Sequence, residues 1–478
     1  MPHRHCRMLF ILVLVPLVLF AQDVEKMYQT DFPPEEFKAR WEKIFDKIGD
    51  NAVAVVQGAP QVRGFALSRQ VNELYYLCGV ETPFAYIKFD GRSRKTTLYL
   101  PPRNERLERS EGKILSADDA EIVKKLTGVD EVMSSDMMRG GWLADTGRTR
   151  VVLYVPFQPG EGYAESRGEN VQANTGIALD YWDGRLPREG QFIQLLRTRH
   201  PRVEVRDLTP VLDELRAVKS AREIALIRRA SQLAGHAIVE AIKSAKPGMY
   251  EYQLEAAARY VYTVNGSRMD GYRAIIASGT ANIWNAHYFR NNSVLNDGDM
   301  VLMDYAPDYR YYTSDVTRMF PANGKFSPVQ REILGFVLAY RNEILKRIRP
   351  GVTAQQIMDE AKTAMEPVFQ RTKFSKSVYE KAARTLVERG GGVFSHPVGM
   401  AVHDDGGYRQ GPLKPGHVFS VDPQLWVPEE NLYYRYEDVV VVTETGVENF
   451  TDFLPSELAD IEKLMREDGI VQKVPPVK

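Results

Sequence analysis

A duplicated segment in the second half of this 478-residue chain restricts its fold more than any other feature of the sequence. One copy occupies 298–315 and the other 416–438, and each starts at the glycine of a Leu-x-x-Gly sequence. In both copies an apolar run ends in an aspartate, and Tyr-Tyr-x-x then leads to a second carboxylate closely followed by valine. The acidic residues are Asp304 and Asp315 in the first copy and Asp422 and Glu437 in the second. The second half is therefore predicted to contain an internal repeat.

The repeat extends upstream of both copies. An apolar-periodic segment at 227–242 is followed by Lys-Pro-Gly at 246–248, and a similar segment at 333–348 is followed by Arg-Pro-Gly at 349–351. Each half is therefore predicted to be a helix, a Pro-Gly turn, a second helix and a hairpin that carries two carboxylates. We expect the chemistry of the chain to lie between the two halves.

The length and composition of the chain indicate a folded protein of two domains. A length of 478 residues exceeds that of one ordinary hydrophobic core, and 44% of the residues are hydrophobic while 26% are charged. The formal net charge is -1, so the chain has no basic excess of the kind that binds nucleic acid. No nucleic-acid partner is therefore expected.

The N-terminus has the pattern of a secretory signal peptide, predicted over residues 1–21. Basic residues precede an apolar run at 9–20, and the small residue Ala21 follows it. The run is too short to span a bilayer and is interrupted by Pro16, so a cleaved signal is favoured over a stable membrane anchor. The sequence thus predicts a secreted or periplasmic protein. Cleavage would remove Cys6 and leave Cys78 as the only cysteine, which excludes an intrachain disulfide.

Residues 22–217 are predicted to form an α/β domain, because short β-rich runs alternate with helical stretches. Strands are predicted at 52–57 and 151–155, and a hairpin at 85–89 and 96–100. The polar, glycine-containing stretch 163–186 is predicted to be a loop. A charged segment leads into a long helix near Val218, so the second domain is predicted at 218–465. A tail at 466–478 is predicted to fray after Ile470.

The four carboxylates of the repeat are expected to lie close together, because residues two apart on a strand share one face of a sheet. Ionised carboxylates that are buried together repel one another unless cations such as divalent metal ions neutralise them. The remaining candidate ligand is His396, with His403 seven residues further on. Oxygen-rich ligation with one imidazole suits Mn²⁺, Co²⁺, Zn²⁺ or Fe²⁺ better than it suits a thiolate-type zinc site.

Taken together, these residues resemble the pita-bread, or creatinase-like, metallopeptidases, specifically the branch of aminopeptidase P and prolidase. The resemblance covers nearly the whole mature chain, because Asn72–Val80 and the LRAVKSAREI junction at 215–224 are also similar to that branch. It implies an α+β fold. A C-terminal pita-bread domain with an internal pseudo-twofold repeat would follow a creatinase-like α/β domain.

The resemblance also implies a set of roles for individual residues. The chain would bind two divalent metal ions, with Mn²⁺ expected first and Zn²⁺, Co²⁺ or Fe²⁺ also suited to the ligands. The metal ligands would be Asp304, Asp315, His396, Asp422 and Glu437, of which Asp315 and Glu437 would bridge the ions. The catalytic residues would be His287, His403, Asp422 and Arg435. The two histidines would contact the substrate, and Arg435 would orient Asp304.

The activity implied by the resemblance is hydrolysis of the peptide bond between an N-terminal residue and proline. Both an Xaa-Pro aminopeptidase and an Xaa-Pro dipeptidase fit, because the choice depends on how loops and a neighbouring subunit close the cleft. The expected partners are a peptide substrate and, as in many family members, further copies of the chain in a homodimer or homotetramer.

Two positions depart from the family pattern. Asp422 stands where the family usually has glutamate, which is one methylene longer, and Gly392 stands where aminopeptidase P often has histidine. An alternative is therefore a metal-poor creatinase-fold binding protein or a metal-independent amidinohydrolase. The presence of Asp, His or Glu at all five ligand positions argues against this alternative.

Overall fold

A computed structural model describes residues 27–62, 64, 66–140, 151–163, 166–390, 394–406 and 411–476. The predicted signal peptide and Gly392 lie outside these residues. No helix in the described ranges is both long enough and apolar enough to cross a membrane. The chain divides into two units, Met1–Gly162 with Val171–Leu215 and Tyr163–Asn170 with Arg216–Lys478.

Six strands of the first unit form one mixed sheet. They are β1 (Ala52–Gln57), β2 (Tyr86–Asp90), β3 (Lys95–Leu100), β4 (Glu131–Ser134), β5 (Val152–Val155) and β6 (Glu204–Asp207), in the spatial order β4-β3-β2-β1-β5-β6. Strand β1 lies inside the sheet, antiparallel to β2 and parallel to β5. Its first five residues, AVAVV, are all apolar and all buried, as in a strand that is covered on both faces. The predicted strands and the predicted hairpin of this region are confirmed.

Helices accompany these strands along the chain. They are α1 (Pro34–Ile48), α2 (Asn72–Cys78), α3 (Glu105–Glu111), α4 (Ala120–Thr127), α5 (Arg167–Leu179), α6 (Arg188–Arg199) and α7 (Thr209–Ala217). The prediction of a loop over 163–186 is wrong, because α5 occupies much of this stretch. Most side chains of α5 are exposed, so its sequence lacks the apolar period that reveals an amphipathic helix.

The second unit contains the repeat. Its helices are α8 (Ala221–Ser244), α9 (Glu251–Val264), α10 (Gly279–Ile283), α11 (Pro328–Leu345), α12 (Ala354–Arg371), α13 (Ser377–Arg389), α14 (Leu458–Leu464) and α15 (Ile470–Lys473). Its strands are β7 (Met269–Asp270), β8 (Ile275–Ser278), β9 (Met300–Asp304), β10 (Pro307–Asp308), β11 (Thr317–Pro321), β12 (Val418–Val421), β13 (Gln424–Val427), β14 (Leu432–Arg435), β15 (Asp438–Val442) and β16 (Val447–Asn449).

The two halves of this unit repeat the same backbone hydrogen bonds. In the first half the amide of Gly248 donates to the carbonyl of Leu295 at 2.8 Å, and in the second half Gly351 donates to Leu413 at 2.9 Å. Each bond ties the turn between two long helices, α8 and α9 or α11 and α12, to the Leu-x-x-Gly sequence before a buried strand. The predicted pseudo-twofold repeat is therefore confirmed.

The glycine of each Leu-x-x-Gly sequence has a left-handed backbone conformation. The φ angle is +83° at Gly298 and +89° at Gly416, a region that favours residues without a Cβ. The strands β9 and β12 begin two residues after these glycines. Each glycine thus turns the chain into a strand whose far end is followed by, or carries, an acidic residue.

The core of the second unit lies between the long helices and two three-stranded sheets. The sheet orders are β11-β9-β8 and β12-β15-β16, and every residue of β9 and β15 is buried. Ile238 of α8 and Val337 of α11 belong to the same apolar cluster as these strands. The second half inserts α13 before β12, where the first half has β7 and β8, so the symmetry between the halves is approximate.

The C-terminal tail is more ordered than its sequence indicates. The prediction that the chain frays after Ile470 is wrong for residues 470–473, which form α15. The side chain of Gln472 donates to the carbonyl of Ser244 at 2.7 Å, at the end of α8. This contact is long-range, so the local composition of the tail gives no sign of it.

Candidate metal centre

Acidic side chains from both halves meet at the ends of neighbouring strands. Asp304 is the last residue of β9, and Asp422 directly follows β12. Asp315 and Glu437 lie just before β11 and β15. All four residues are between 0% and 4% exposed, so any charge they carry must be balanced inside the protein.

The strand registers show which residues of the two halves correspond, and they differ from the correspondence that the sequence repeat predicts. Asp304 lies opposite Thr317 in the β9–β11 pair, whereas Val421 lies opposite Asp438 and therefore places Asp422 opposite Glu437. The residue that corresponds to Glu437 is thus Thr317, two positions after Asp315. The Tyr-Tyr-x-x spacing aligned Asp315 with Glu437, and that alignment is wrong by two residues.

Two groups of side chains among the described residues could hold a metal ion. One consists of Asp304, Asp315 and Glu437, and the other of Asp315, His396 and His403, with ligand atoms within 4.8 Å of one another in each group. Asp315 belongs to both groups. The arrangement can therefore place two cations side by side with a shared carboxylate.

His396 approaches the shared carboxylates with one ring nitrogen. Its Nε2 lies 3.2 Å from Asp315 and 3.7 Å from Glu437, while its Nδ1 is 3.1 Å from the carbonyl of Pro397. A carbonyl only accepts, so Nδ1 donates a proton there, and in the neutral ring the lone pair of Nε2 is then left for a metal. Burial opposes the charged ring, but without a metal the carboxylates of Asp315 and Glu437 outweigh burial and raise the pKa of His396 to about 10. The backbone of His396 is held to β12, because its carbonyl accepts from the amide of Ser420 at 2.9 Å.

Burial and mutual repulsion shift the pKa values of the acids. Burial raises the pKa of Asp304 well above its usual range, and the neighbouring Asp315 raises it further. The pKa of Asp315 is raised by burial and by the charge of Glu437. Burial also raises the pKa of Asp422 to about 7, although the guanidinium of Arg435 opposes this. Burial is the largest cause of all three shifts, and neighbouring carboxylates add to it.

Arg435 contacts three of the four acids. Its guanidinium lies 3.0 Å from Asp304 and 3.2 Å from Asp422, and it also donates to Glu437. Burial opposes ionisation of Glu437, but Arg435 and His396 outweigh burial and hold the pKa of Glu437 below its usual value. The two basic neighbours therefore favour the ionised form of Glu437.

Three hydroxyl groups that the sequence analysis missed bind these acids. The Tyr272 hydroxyl lies 2.5 Å from Asp304 and 2.9 Å from Asp315. Thr317 donates to Glu437 at 2.9 Å, and Ser420 donates to the other oxygen of the same carboxylate. The two-residue period of strands points to Thr317 and Ser420, which lie two positions from Asp315 and Asp422. No local sequence signal points to Tyr272.

Asp422 belongs to neither of the two groups that could hold a metal. Its Oδ2 accepts a hydrogen bond from the side chain of Gln424 at 2.5 Å. Its Oδ1 is buried without a hydrogen-bond partner and faces Arg435. A buried carboxylate oxygen that accepts no hydrogen bond suits a cation, but the short aspartate side chain ends beside Gln424 and Arg435. The role of Asp422 as a ligand stays a prediction.

The two histidines assigned to substrate contact are close enough for the charge of His287 to affect His403. The ring of His403 is 4.2 Å from that of His396, centroid to centroid. Burial lowers the pKa of His403 to about 4, and the nearby His396 and, more weakly, His287 add to this effect. His287 itself is exposed. Their roles toward a substrate stay predictions, and His403 is also placed where it could be a ligand.

The residues of this centre fit a divalent cation. The donors are carboxylate oxygens and one imidazole nitrogen with a fixed tautomer, which is the ligand chemistry of Mn²⁺, Zn²⁺, Co²⁺ and Fe²⁺. The raised pKa values of Asp304 and Asp315, and the unpartnered oxygen of Asp422, are the features that bound cations would relieve.

A cavity of about 480 Å³ is lined in part by Gln424, whose side chain donates a hydrogen bond to Asp422. The other lining residues come from α13, from β13 and from the turn after β13, and Trp426 and Arg389 are on its wall. Trp426 stacks on Tyr433 with ring centroids 3.8 Å apart, which makes that wall rigid. The volume falls within the usual range for small-molecule sites.

Comparison with known proteins identifies the class. Residues 225–444 match metallopeptidase family M24, and residues 37–145 match the aminopeptidase P N-terminal domain. The chain is 31% identical over 456 residues to an Xaa-Pro aminopeptidase of Escherichia coli (strain K12), covering 90% of this chain and 97% of that protein. The fold and the buried acids define a pita-bread metallopeptidase, and the chain belongs to metallopeptidase family M24, in its aminopeptidase P branch.

Solved structures agree with this assignment. A proline aminopeptidase P II from Yersinia pestis is 29% identical with a TM-score of 0.74, covering 91% of this chain and all 100% of that one. A zinc-substituted E. coli aminopeptidase P in complex with product is 28% identical with a TM-score of 0.73, covering 91% of this chain and 99% of that one. The centre is therefore a site for divalent metal ions.

Proposed function

We propose that the protein is an Xaa-Pro aminopeptidase that uses two divalent metal ions. The single observation that carries this proposal is the pair of ligand groups that share Asp315, in a chain similar along its length to Xaa-Pro aminopeptidases. Glu437 would also bridge, because it is near both Asp304 and His396. A shared carboxylate of this kind sets the short separation used by two-metal hydrolases.

The residues of the centre divide the work of peptide hydrolysis. Bound divalent ions would polarise the substrate carbonyl and activate water. Asp304, Asp315, His396 and Glu437 would hold the ions, and Arg435, which contacts Asp304 and Glu437, would orient these two carboxylates. By the resemblance to the family, Asp422 would take up a proton and pass it to the leaving amine, and its contacts with Arg435 and Gln424 place it beside the other acids. His403 and His287 would contact the peptide.

The finer features of the proposal follow from the sequence. We expect Mn²⁺ as the working metal, and metal analysis after dialysis against Mn²⁺ or Zn²⁺ would test this. The N-terminal pattern supports export with cleavage near residue 21, and N-terminal sequencing of the mature protein would test it. A homodimer or homotetramer is expected, and sedimentation equilibrium would measure it.

The activity is tested with matched peptides. The protein loaded with Mn²⁺ should cleave Ala-Pro-Ala faster than Ala-Ala-Ala, and it should act on Ala-Pro-Ala faster than on Ala-Pro if it is an aminopeptidase. A preference for Ala-Ala-Ala would contradict the proline specificity. A preference for Ala-Pro would assign a dipeptidase. A protein that binds no metal and cleaves none of the peptides would support the binding-protein alternative.

A further inference from the structure

An ion cluster fixes the backbone next to His403. Asp404 accepts hydrogen bonds from Arg216 at 2.5 Å and from Lys219 at 2.8 Å, and all three side chains are 1% exposed. Gly399 packs so closely on this cluster that a Cβ there would lie 2.1 Å from Asp404 Oδ2. Breaking such a buried pair leaves an uncompensated charge in the interior, so the loop is strongly held at this point.

The residues on either side of Asp404 pair with one short segment, 163–170. Asp405 lies 2.8 Å from Arg167, whose side chain is 9% exposed. In the same first turn of α5, Glu169 places Oε1 3.5 Å from Nδ1 of His403. Arg167 therefore anchors the start of α5 to the loop, and this turn of helix carries Glu169 to the histidine.

The segment that supplies these partners comes from an unexpected part of the chain. Residues 163–170 belong to the second unit although most of the chain before 216 forms the first. They also lie between the regions that match the two family domains, 37–145 and 225–444. Neither family domain therefore includes the segment that carries Glu169 to His403.

We propose that Glu169 is a positioning residue for His403. Its carboxylate faces Nδ1 and therefore favours the tautomer in which Nδ1 carries the proton. In that tautomer Nε2 is unprotonated and can accept a hydrogen bond from the substrate. A carboxylate that orients a catalytic histidine in this way keeps the ring in the productive tautomer. The separation of 3.5 Å is longer than a usual hydrogen bond, and catalytic hydrogen bonds are often this long before substrate binds. The inference rests on the proposed peptidase function, in which His403 contacts the substrate.

Steady-state kinetics test this role. On Ala-Pro-Ala, Glu169→Gln should lower kcat about tenfold or more with KM within about twofold, and leave the metal content unchanged. Glu169→Asp should restore part of kcat, and Glu121→Gln, at another first-turn glutamate, should have no effect. In a His403→Ala background Glu169→Gln should have little further effect. A raised KM with unchanged kcat, or effects that add, would show that Glu169 binds substrate directly and would overturn the proposal.

A second readout does not depend on peptidase activity. NMR of protein that contains ring-¹⁵N histidine reports the tautomer of each ring. The His403 signals are identified by their absence from the His403→Ala spectrum, and in the wild type they should show protonation mainly at Nδ1. Glu169→Gln should shift this tautomer balance, and Glu121→Gln should not. An unchanged His403 spectrum would overturn the positioning role even in an active enzyme. A wild type that cleaves no proline peptide but shows the shift would contradict the proposed function alone.

Discussion

The hydroxyl of Thr317 donates a hydrogen bond of 2.9 Å to the carboxylate of Glu437, and the two residues occupy corresponding register positions in the two halves of the repeat. Residues related by a twofold axis can touch only if they lie near that axis. Glu437 therefore lies near the centre of the pita-bread domain. Its counterpart in the other half, Thr317, has a hydroxyl in place of a carboxylate and donates a hydrogen bond to Glu437. The amide of Glu437 also donates to the carbonyl of Thr317 at 3.2 Å.

The first prediction is that Thr317→Val weakens metal binding while Thr317→Ser does not. Valine has nearly the same shape, but it leaves one oxygen of Glu437 without its hydroxyl donor. Loss of a partner that orients a metal ligand should lower metal affinity about 10- to 100-fold, and the lost hydrogen bond should lower the free energy of unfolding by about 1 kcal/mol. Calorimetric titration with Mn²⁺ measures the first effect. Equal affinities for the two variants would contradict this role of the hydroxyl.

Local patterns predicted the scaffold of the second unit well. Apolar periods at 227–242 and 333–348 and the Pro-Gly turns after them depend on neighbouring residues only, and the structure confirms them. The Tyr-Tyr-x-x spacing failed because the two connections differ. The first connection passes through β10, whereas the second forms the hairpin of β13 and β14, so equal spacing along the chain does not give equal register.

Long-range contacts of the candidate site were beyond the reach of sequence patterns. Tyr272 reaches Asp315 across 43 positions, and Glu169 approaches His403 from more than two hundred positions away. Neither residue belongs to a motif of the chain. The packing of strands and helices decides which residues they contact. Apolar periods and turn signals report only on neighbouring residues, so they do not predict these contacts.

The second prediction concerns Cys78, which is fully buried in α2 and forms no disulfide among the described residues. Burial raises the pKa of its thiol to about 12 from an ordinary value of 9.0. As the pH rises, the thiol loses its proton in the unfolded chain before it does so in the folded protein. The contribution of Cys78 to the free energy of unfolding is therefore complete below pH 9 and declines from about pH 9 to 12. Urea unfolding of the protein prepared without residues 1–21 should show a steeper decline of the free energy of unfolding across this range than unfolding of its Cys78→Ala variant.

Thiol chemistry gives the control for this prediction. At pH 8 the folded protein should react with a disulfide reagent far more slowly than the urea-unfolded protein, because the reactive thiolate is scarce and inaccessible. Rapid reaction of the folded protein would show that Cys78 is accessible and would remove the basis for the pH effect.

The third prediction is that His403→Ala lowers turnover far more than it lowers metal content. As a contact to the transition state, His403 should contribute on the order of 100-fold in rate. The test also distinguishes a substrate contact from a metal ligand, because His403 forms a group with Asp315 and His396 that could hold a metal. Activity on Ala-Pro-Ala and metal content are measured on the same preparation, with His200→Ala as the control. Parallel loss of metal and activity would identify His403 as a ligand.

The last prediction concerns Asp422, whose shorter side chain departs from the family pattern. If Asp422 is a ligand, Asp422→Asn removes a ligand charge and should lower the metal stoichiometry from about two toward one, with loss of most activity. The ion held by Asp304, Asp315 and Glu437 should remain. Asp422→Glu restores the longer side chain and should retain two metals.

Gln424 supplies the matched test, because its side chain donates a hydrogen bond of 2.5 Å to Oδ2 of Asp422. Gln424→Ala should release this oxygen, and if the hydrogen bond competes with metal binding, the variant should bind the second ion more tightly than the wild type. Plasma emission after dialysis against Mn²⁺ gives the stoichiometry, and calorimetry gives the affinity. A wild type that binds no more metal than Asp422→Asn would show that Asp422 is not a ligand. Its contacts with Gln424 and Arg435 would then be its whole role in the centre, and a single ion held by Asp304, Asp315 and Glu437 would have to account for the chemistry.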